Sequence, residues 1–218
     1  MDTSTPASGH SEPPARRRTG GRSARVRAQV LDAVGVLLVE GGYDALTVDA
    51  VAERAGVHRT TVYRRWRDVG GLLADVLDAA AADDTWSPPD TGSLEGDLTA
   101  LNQEVYDALA AGPSVSTALI AASFRSPEAA GALARFWADR YERCAAVVSR
   151  AVARGDLGAA TDAHALLVTA TAPLYHVLLL LRDEPDPGLP RRAATAAAAA
   201  ARAGAFAARD TAPGGAGP

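Results

Sequence analysis

Apolar positions along this chain recur at helical spacing almost from end to end, and nowhere do they alternate as in a strand. Val26, Val30, Ala33, Val34 and Leu37 share one face of a first helix, from about Ser23 to Gly41, which Gly42-Tyr43 ends. Val48, Val51, Ala52 and Ala55 form the stripe of a short second helix capped by Thr47. Gly56 supplies a left-handed turn, after which a third helix turns Val62 and Trp66 inward one turn apart. A fourth helix is expected from about Val69 to Ala82, opening on a pliant Gly70-Gly71 pair. The stretch DDTWSPPDTG then reads as a loop. Leu94, Leu98, Leu101, Val105 and Leu109 stripe the next helix, closed by Gly112-Pro113, and Val115, Leu119 and Ile120 a shorter one. Ser126-Pro127 opens a long helix carrying Leu133, Trp137, Tyr141, Cys144, Val148 and Val152, and two more follow over about 162–182 and 188–208. The predicted fold is all-α, without strands or internal repeats.

The third helix has an outer face of unusual chemistry. Thr60, Tyr63, Arg64 and Arg67 lie opposite Val62 and Trp66, with Arg59 and Thr61 exposed on the first turn. Arg can fork onto a guanine edge, a Thr methyl can meet thymine, and a Tyr hydroxyl can reach phosphate. Two short helices, a tight turn and a cationic second helix make a helix-turn-helix, a shape suited to a DNA major groove. The candidate DNA contacts are Thr47, Arg59, Thr60, Thr61, Tyr63, Arg64, Arg65 and Arg67.

Over residues 26–72 the order of these signals resembles the DNA-binding domain of TetR-family transcriptional regulators. It comprises a first helix ending in Gly-Tyr, Thr at a helix start, Ala-Gly-Val at the turn, Thr-x-Tyr, and an aromatic closing the recognition helix. The resemblance implies a three-helix head at 23–68 and a larger helical domain at 69–209 that dimerises and holds an effector. It also implies a palindromic DNA operator bound by a homodimer, with a repressor as the expected activity. Two positions depart from the family pattern. His58 stands where a capping Ser is usual, and Val69 where a phosphate-touching Lys is usual. Arg65, Arg67 and the backbone amides opening the fourth helix are the expected substitutes for that Lys.

Charge agrees with this division. All 22 basic residues are Arg; 11 of them stand against 8 acids in residues 1–70, and 11 against 18 acids in the remainder. A basic first part and an acidic remainder suit a chain of which only the first part meets nucleic acid. Residues 1–22 read as a disordered basic arm containing Arg16, Arg17, Arg18 and Arg22, and 210–218 as a flexible tail. The N-terminus has no apolar core of a secretory signal, so a cytoplasmic location is expected. Cys144 is alone, and His164 and His176 lie about 18 Å apart along a helix, so no metal or cofactor is expected.

Ala165–Leu181 is apolar nearly all round, short for a bilayer and interrupted by Thr169, Thr171, Pro173 and His176. A helix with no polar side is buried on every side, so with the Ala-rich segment after it residues 162–208 are expected to form a homodimer interface, without membrane contact. An intramolecular core is the alternative. The candidate ligand-binding residues are Tyr106, Phe124, Phe136, Trp137, Arg140, Tyr141, Tyr175 and His176, clustered in a chain with 5% aromatic content. Pro173 should kink its helix, which either opens space among them or only shapes the bundle. No nucleophile–base pair, paired carboxylates or phosphate loop suggests an enzyme. An effector-blind or activating regulator remains open, as does a helical scaffold that no longer meets DNA.

Overall fold

A computed structural model of the chain describes residues 20–83, 85–110 and 114–207. Most of the arm expected at 1–22, the Gly112-Pro113 stop and the tail expected at 210–218 lie outside these residues. The described residues form helices α1 (Gly20–Ala45), α2 (Val48–Arg54), α3 (Arg59–Trp66), α4 (Val69–Ala81), α5 (Leu94–Ala110) and α6 (Val115–Ser123). They continue with α7 (Pro127–Ala153), α8 (Ala163–Tyr175), a π-helical turn (His176–Leu181) and α9 (Leu189–Arg202). One isolated bridge, Thr161 to Ala207, is the only β pairing among them.

The helix starts follow side-chain chemistry. Thr47 Oγ1 accepts from the Ala50 amide at 3.1 Å, Asp68 Oδ1 from Gly71 at 2.9 Å, Ser126 Oγ from Ala129 at 3.2 Å and Asp162 Oδ1 from Ala165 at 3.0 Å. A reciprocal cap between Ser114 and Thr117 opens α6. Helix α1 begins at Gly20, so the last residues of the expected arm are helical. It also continues to Ala45 across a kink at Gly42, where φ is 66°. A glycine accommodates that backbone without the clash a side chain would bring.

The interior is not divided where the charge pattern changes. Val30, Val34, Leu38, Val51, Val62, Trp66, Leu72 and Leu73 form a cluster that continues into Leu119 and Ala122 of α6 and Ala129 and Ala132 of α7. A second cluster joins α5, α7, α8 and α9 through Leu94, Leu98, Val147, Leu166, Ala194 and Ala198. Helix α4 belongs to the first cluster and packs along α7. It is the shared wall between the helix-turn-helix and the larger bundle.

Gly70 and Gly71 turn out to serve close packing rather than pliancy. A Cβ on Gly71 would stand 2.1 Å from the Trp66 carbonyl oxygen, and one on Gly70 2.9 Å from Ser126 Oγ. Glycine therefore allows the start of α4 to press against the end of α3.

The helix expected over 162–182 is interrupted. Pro173 lacks the N–H that would bond to Thr169, and the α-helical pattern gives way three residues later to a π turn ending at Arg182, with φ 57°. Ala163–Leu181 is long and apolar enough to span a membrane by length and composition, with mean hydropathy 1.6. Its Leu166, Leu167, Ala170 and Leu174 are instead core residues, and only part of the helix is covered within the chain. Val168 is 37% exposed, Leu180 74% and Leu181 54%. Burial on every side is thus not achieved by one chain. The alanines of α9 are used differently from expectation. Ala193, Ala194, Ala197, Ala198 and Ala201 are buried against α5 and α8 of the same chain. Small side chains here allow intramolecular helix contact, which leaves Arg191, Arg192, Thr195, Ala196 and Ala199 on the outside.

Candidate functional site

The turn between α2 and α3 runs through Gly56 at φ 64°, and α3 then projects from the domain with Val62 and Trp66 as its roots. Those two are buried, while Arg59, Thr60, Tyr63, Arg64, Arg65 and Arg67 are exposed; Tyr63 shows 48% of its surface. Thr61 is half-buried, and Thr47 is exposed at the start of α2 with its hydroxyl engaged as the cap. Arg59, Arg64 and Arg67 form no ion pair among the described residues, so their charge is available. Arg67 ends α3 at φ 65°, which turns it out of the helical row. Arg65 is held more tightly. Its guanidinium donates to Ser23 Oγ at 3.1 Å and lies 5.1 Å from the Trp66 ring centroid.

His58 takes over the missing cap. Its Nδ1 accepts from the Thr60 amide at a long 3.4 Å and lies 2.9 Å from Thr60 Oγ1. The expected role of amides at the start of α4 is corrected by Asp68, whose carboxylate caps that helix. A negative group there takes the Gly71 amide and opposes the approach of phosphate.

Behind α3 lies an ion-pair junction that periodicity did not reveal. Asp75 of α4 receives Arg27 Nε at 3.0 Å, an Arg27 terminal nitrogen at 2.7 Å and Trp66 Nε1 at 2.7 Å. Burial alone would raise the Asp75 pKa, but the bonds from Arg27 and Trp66 outweigh it and leave the carboxyl below its ordinary value. One carboxylate therefore fixes α1, the end of α3 and α4 together.

The next residue along α4, Val76, faces a cavity of about 310 Å³. Val76, Leu77 and Ala80 supply one wall, and α5, α6, α7, α8 and Trp86 of the α4–α5 loop supply the rest, including Leu101, Leu119, Leu133 and Leu167. Of the candidate ligand residues, Tyr106 is buried beside Leu174 and Leu189 and does not reach the lining, whereas Phe136, Trp137, Arg140, Tyr141 and Tyr175 do. Phe136 and Trp137 meet edge to face at 5.2 Å, and Trp137 and Tyr175 at 5.6 Å. Two candidates are corrected. Phe124 is 84% exposed, because it falls at the C-terminal cap of α6 and points away from the bundle. His176 is exposed, because the register set by Leu174 and Tyr175 turns it outward where the π turn begins.

Trp86 and Glu104 were not anticipated. Trp86 comes from the loop between α4 and α5, and its Nε1 donates to Glu104 Oε2 at 2.9 Å. Arg143 holds the loop by donating to the carbonyls of Asp83, at 3.1 Å, and of Trp86. Arg150 reaches the Pro89 carbonyl, and buried Asp97 accepts from the Thr91 amide at 2.6 Å. A Pro/Gly/Asp composition signalled only a loop; the basic residues of α7 that pin it were the available clue. Cys144 also borders the cavity, where burial pushes its thiol up to about 11, so it is a weak nucleophile.

Residues 30–76 match the family model described as bacterial regulatory proteins, tetR family, and residues 88–197 match the tetracyclin repressor-like C-terminal domain. The HTH-type transcriptional regulator AqdR of Rhodococcus erythropolis is 31% identical, the alignment covering 79% of this chain and 83% of that protein. The DNA-binding transcriptional repressor TetR of Mycobacteroides abscessus is 35% identical, over 73% of this chain and 83% of its own length. Among solved structures, a TetR transcriptional regulator from Agrobacterium tumefaciens superposes with a TM-score of 0.62 at 26% identity, covering 81% of this chain and 91% of the other.

Proposed function

Since the chain belongs to the TetR family of transcriptional regulators, and so is a DNA-binding regulator, we propose that it is a ligand-responsive repressor. It works in the cytoplasm as a homodimer on a palindromic operator. Each α3 enters a major groove, where Arg59, Thr60, Tyr63 and Arg64 meet bases and phosphates and Arg67 meets the backbone. A second copy covers the exposed side of α8 and its π turn, where Val168, Leu180 and Leu181 lie uncovered in the single chain.

The observation that carries the ligand response is the adjacency of Asp75 and Val76. Val76 borders the cavity, and Asp75 grips Trp66 at the end of α3. A ligand that displaces this wall of α4 changes the footing of α3, and the dimer then favours a state whose two heads no longer match successive grooves. Such a ligand must bind the two states with different affinity.

The test is fluorescence anisotropy of the purified protein on DNA from its own upstream region, with and without compounds that raise its melting temperature. Specific binding that these compounds reverse supports the proposal. Stabilising compounds that leave DNA affinity unchanged would mean a cavity without a switch, and equal binding to unrelated DNA would remove the operator from the account.

A further inference from the structure

The polar groups of the cavity gather around Arg140. Its guanidinium stacks over the Trp86 ring, 3.6 Å from the centroid, and lies 5.5 Å from that of Phe136. Tyr141 and Tyr175 flank Trp137, and the Tyr175 hydroxyl is within electrostatic reach of Tyr141 and Arg140. Among the described residues three carboxylates are within electrostatic reach of Arg140, and each has another partner. Asp139 pairs with Arg143 at 3.7 Å, Glu104 accepts from Trp86, and Asp83 accepts from the Thr85 amide at 3.0 Å.

Among the described residues Arg140 makes neither an ion pair nor a hydrogen bond. Burial draws its guanidinium below the ordinary arginine range, although the charges of Glu104 and Asp139 act the other way. The Tyr175 hydroxyl is also without a hydrogen-bond partner among the described residues, and burial pushes its pKa well up, so it stays a neutral donor. Arg140 and the Tyr175 hydroxyl thus put two unpartnered donors at this end of the cavity, while Glu104, the one carboxylate in the lining among the described residues, accepts from Trp86. The remaining lining is aliphatic and aromatic apart from Glu104, Ser116, Cys144 and Thr171.

We propose, resting on the reading of this cavity as the effector site, that the effector is an aromatic anion. Its carboxylate or phenolate oxygen pairs with Arg140 and accepts from Tyr175, while its rings lie against Phe136, Trp137 and Leu133. A planar carboxylate matches the guanidinium fork, and the bond gains strength where water is thin. A cationic ligand meets the opposite situation, because Arg140 already occupies the faces of Trp86 and Phe136 and repels a second positive charge.

Three probes of matched shape test this: naphthalene-2-carboxylate, naphthalene-2-carboxamide and 2-naphthylmethylammonium. Each is titrated calorimetrically into the full chain at neutral pH, with tryptophan fluorescence followed in parallel. The carboxylate should bind about tenfold tighter than the amide or better, as a charge-assisted pair requires, and the ammonium should bind most weakly. Arg140→Gln should erase the preference for the carboxylate while leaving amide affinity within about twofold, and Tyr175→Phe should weaken the carboxylate alone. Should Arg140→Gln fail to fold, the order of the three probes on the unmodified chain decides. Equal affinities, or a preference for the ammonium, overturn the aromatic anion and leave the effector cavity standing. Binding by none of the three overturns the anion and the cavity reading together.

Discussion

Replacing Asp75 by Ala should loosen α3 without touching its outer face. The substitution removes the acceptor of Trp66 Nε1 and the partner of Arg27, at distances of 2.7 to 3.2 Å. Hydrogen bonds to a charged group contribute about 1.5–3 kcal/mol each, and stranding one member of a fully buried pair costs about 3–5 kcal/mol. The Arg27 and Asp75 side chains are 33% and 23% exposed, so solvent screens the pair and gives Arg27 water once it is alone. The expected loss is therefore about 2–3 kcal/mol, or about 4–12 °C in melting temperature for a chain of this size. Calorimetry at fixed protein concentration measures it, since the proposed dimer would make melting depend on concentration. Asp75→Asn keeps an acceptor for Trp66 and should fall between. Both variants should bind DNA more weakly, although Asp75 lies behind the recognition face. Because its pKa is lowered in the folded chain, the carboxylate's contribution is complete above its unfolded pKa and is lost as pH falls through the folded value. The gap between wild type and Asp75→Asn should close in acid. Melting of Asp75→Ala within about 0.5 kcal/mol of wild type, the range of ordinary surface changes, would refute the junction.

Other consequences follow from the same geometry. Gly71→Ala places a methyl group 2.1 Å from the Trp66 carbonyl oxygen, so α3 and α4 must separate. A loss of about 1–3 kcal/mol in thermal unfolding is expected, with weakened DNA binding, whereas Gly21→Ala in open space should change neither. Leu180→Arg alters a residue 74% exposed in the single chain, so it should give folded monomers by sedimentation with undiminished helical circular dichroism. A dimer of unchanged affinity would move the interface elsewhere. Arg67→Ala should weaken binding to all DNA alike and reduce the salt slope by about one phosphate unit, which titrations at several salt concentrations will show.

The helices were legible in the sequence because each buries a stripe of Val, Leu or Ala at helical spacing, and Thr47, Ser126-Pro127 and Asp162 mark their starts. The outer face of α3 followed from the same wheel, since fixing Val62 and Trp66 inward fixes Arg64 outward. What periodicity cannot show is contact between segments far apart in the chain. The grip of Asp75 on Arg27 and Trp66 spans 48 residues in one direction. The stacking of Trp86 on Arg140 likewise required knowing that the loop folds back onto α7. Phe124 and His176 were misjudged for a related reason. Each lies where a regular helix stops, at the end of α6 and at the π turn, and a wheel drawn through such a point gives the wrong side. Burial of the α9 alanines within one chain was equally hidden, because an alanine stripe suits a neighbour in the same subunit as well as one across a dimer.

The claim that the outer face of α3 reads DNA sequence can be tested by selection from a random pool of duplexes, with the wild-type chain and with Arg64→Ala in parallel. Wild type should enrich an inverted repeat, and Arg64→Ala should lose about 1–3 kcal/mol of discrimination at one guanine position in each half-site, with the other positions retained. The same enriched sequence with undiminished preference at every position in both selections would contradict the assignment of that face.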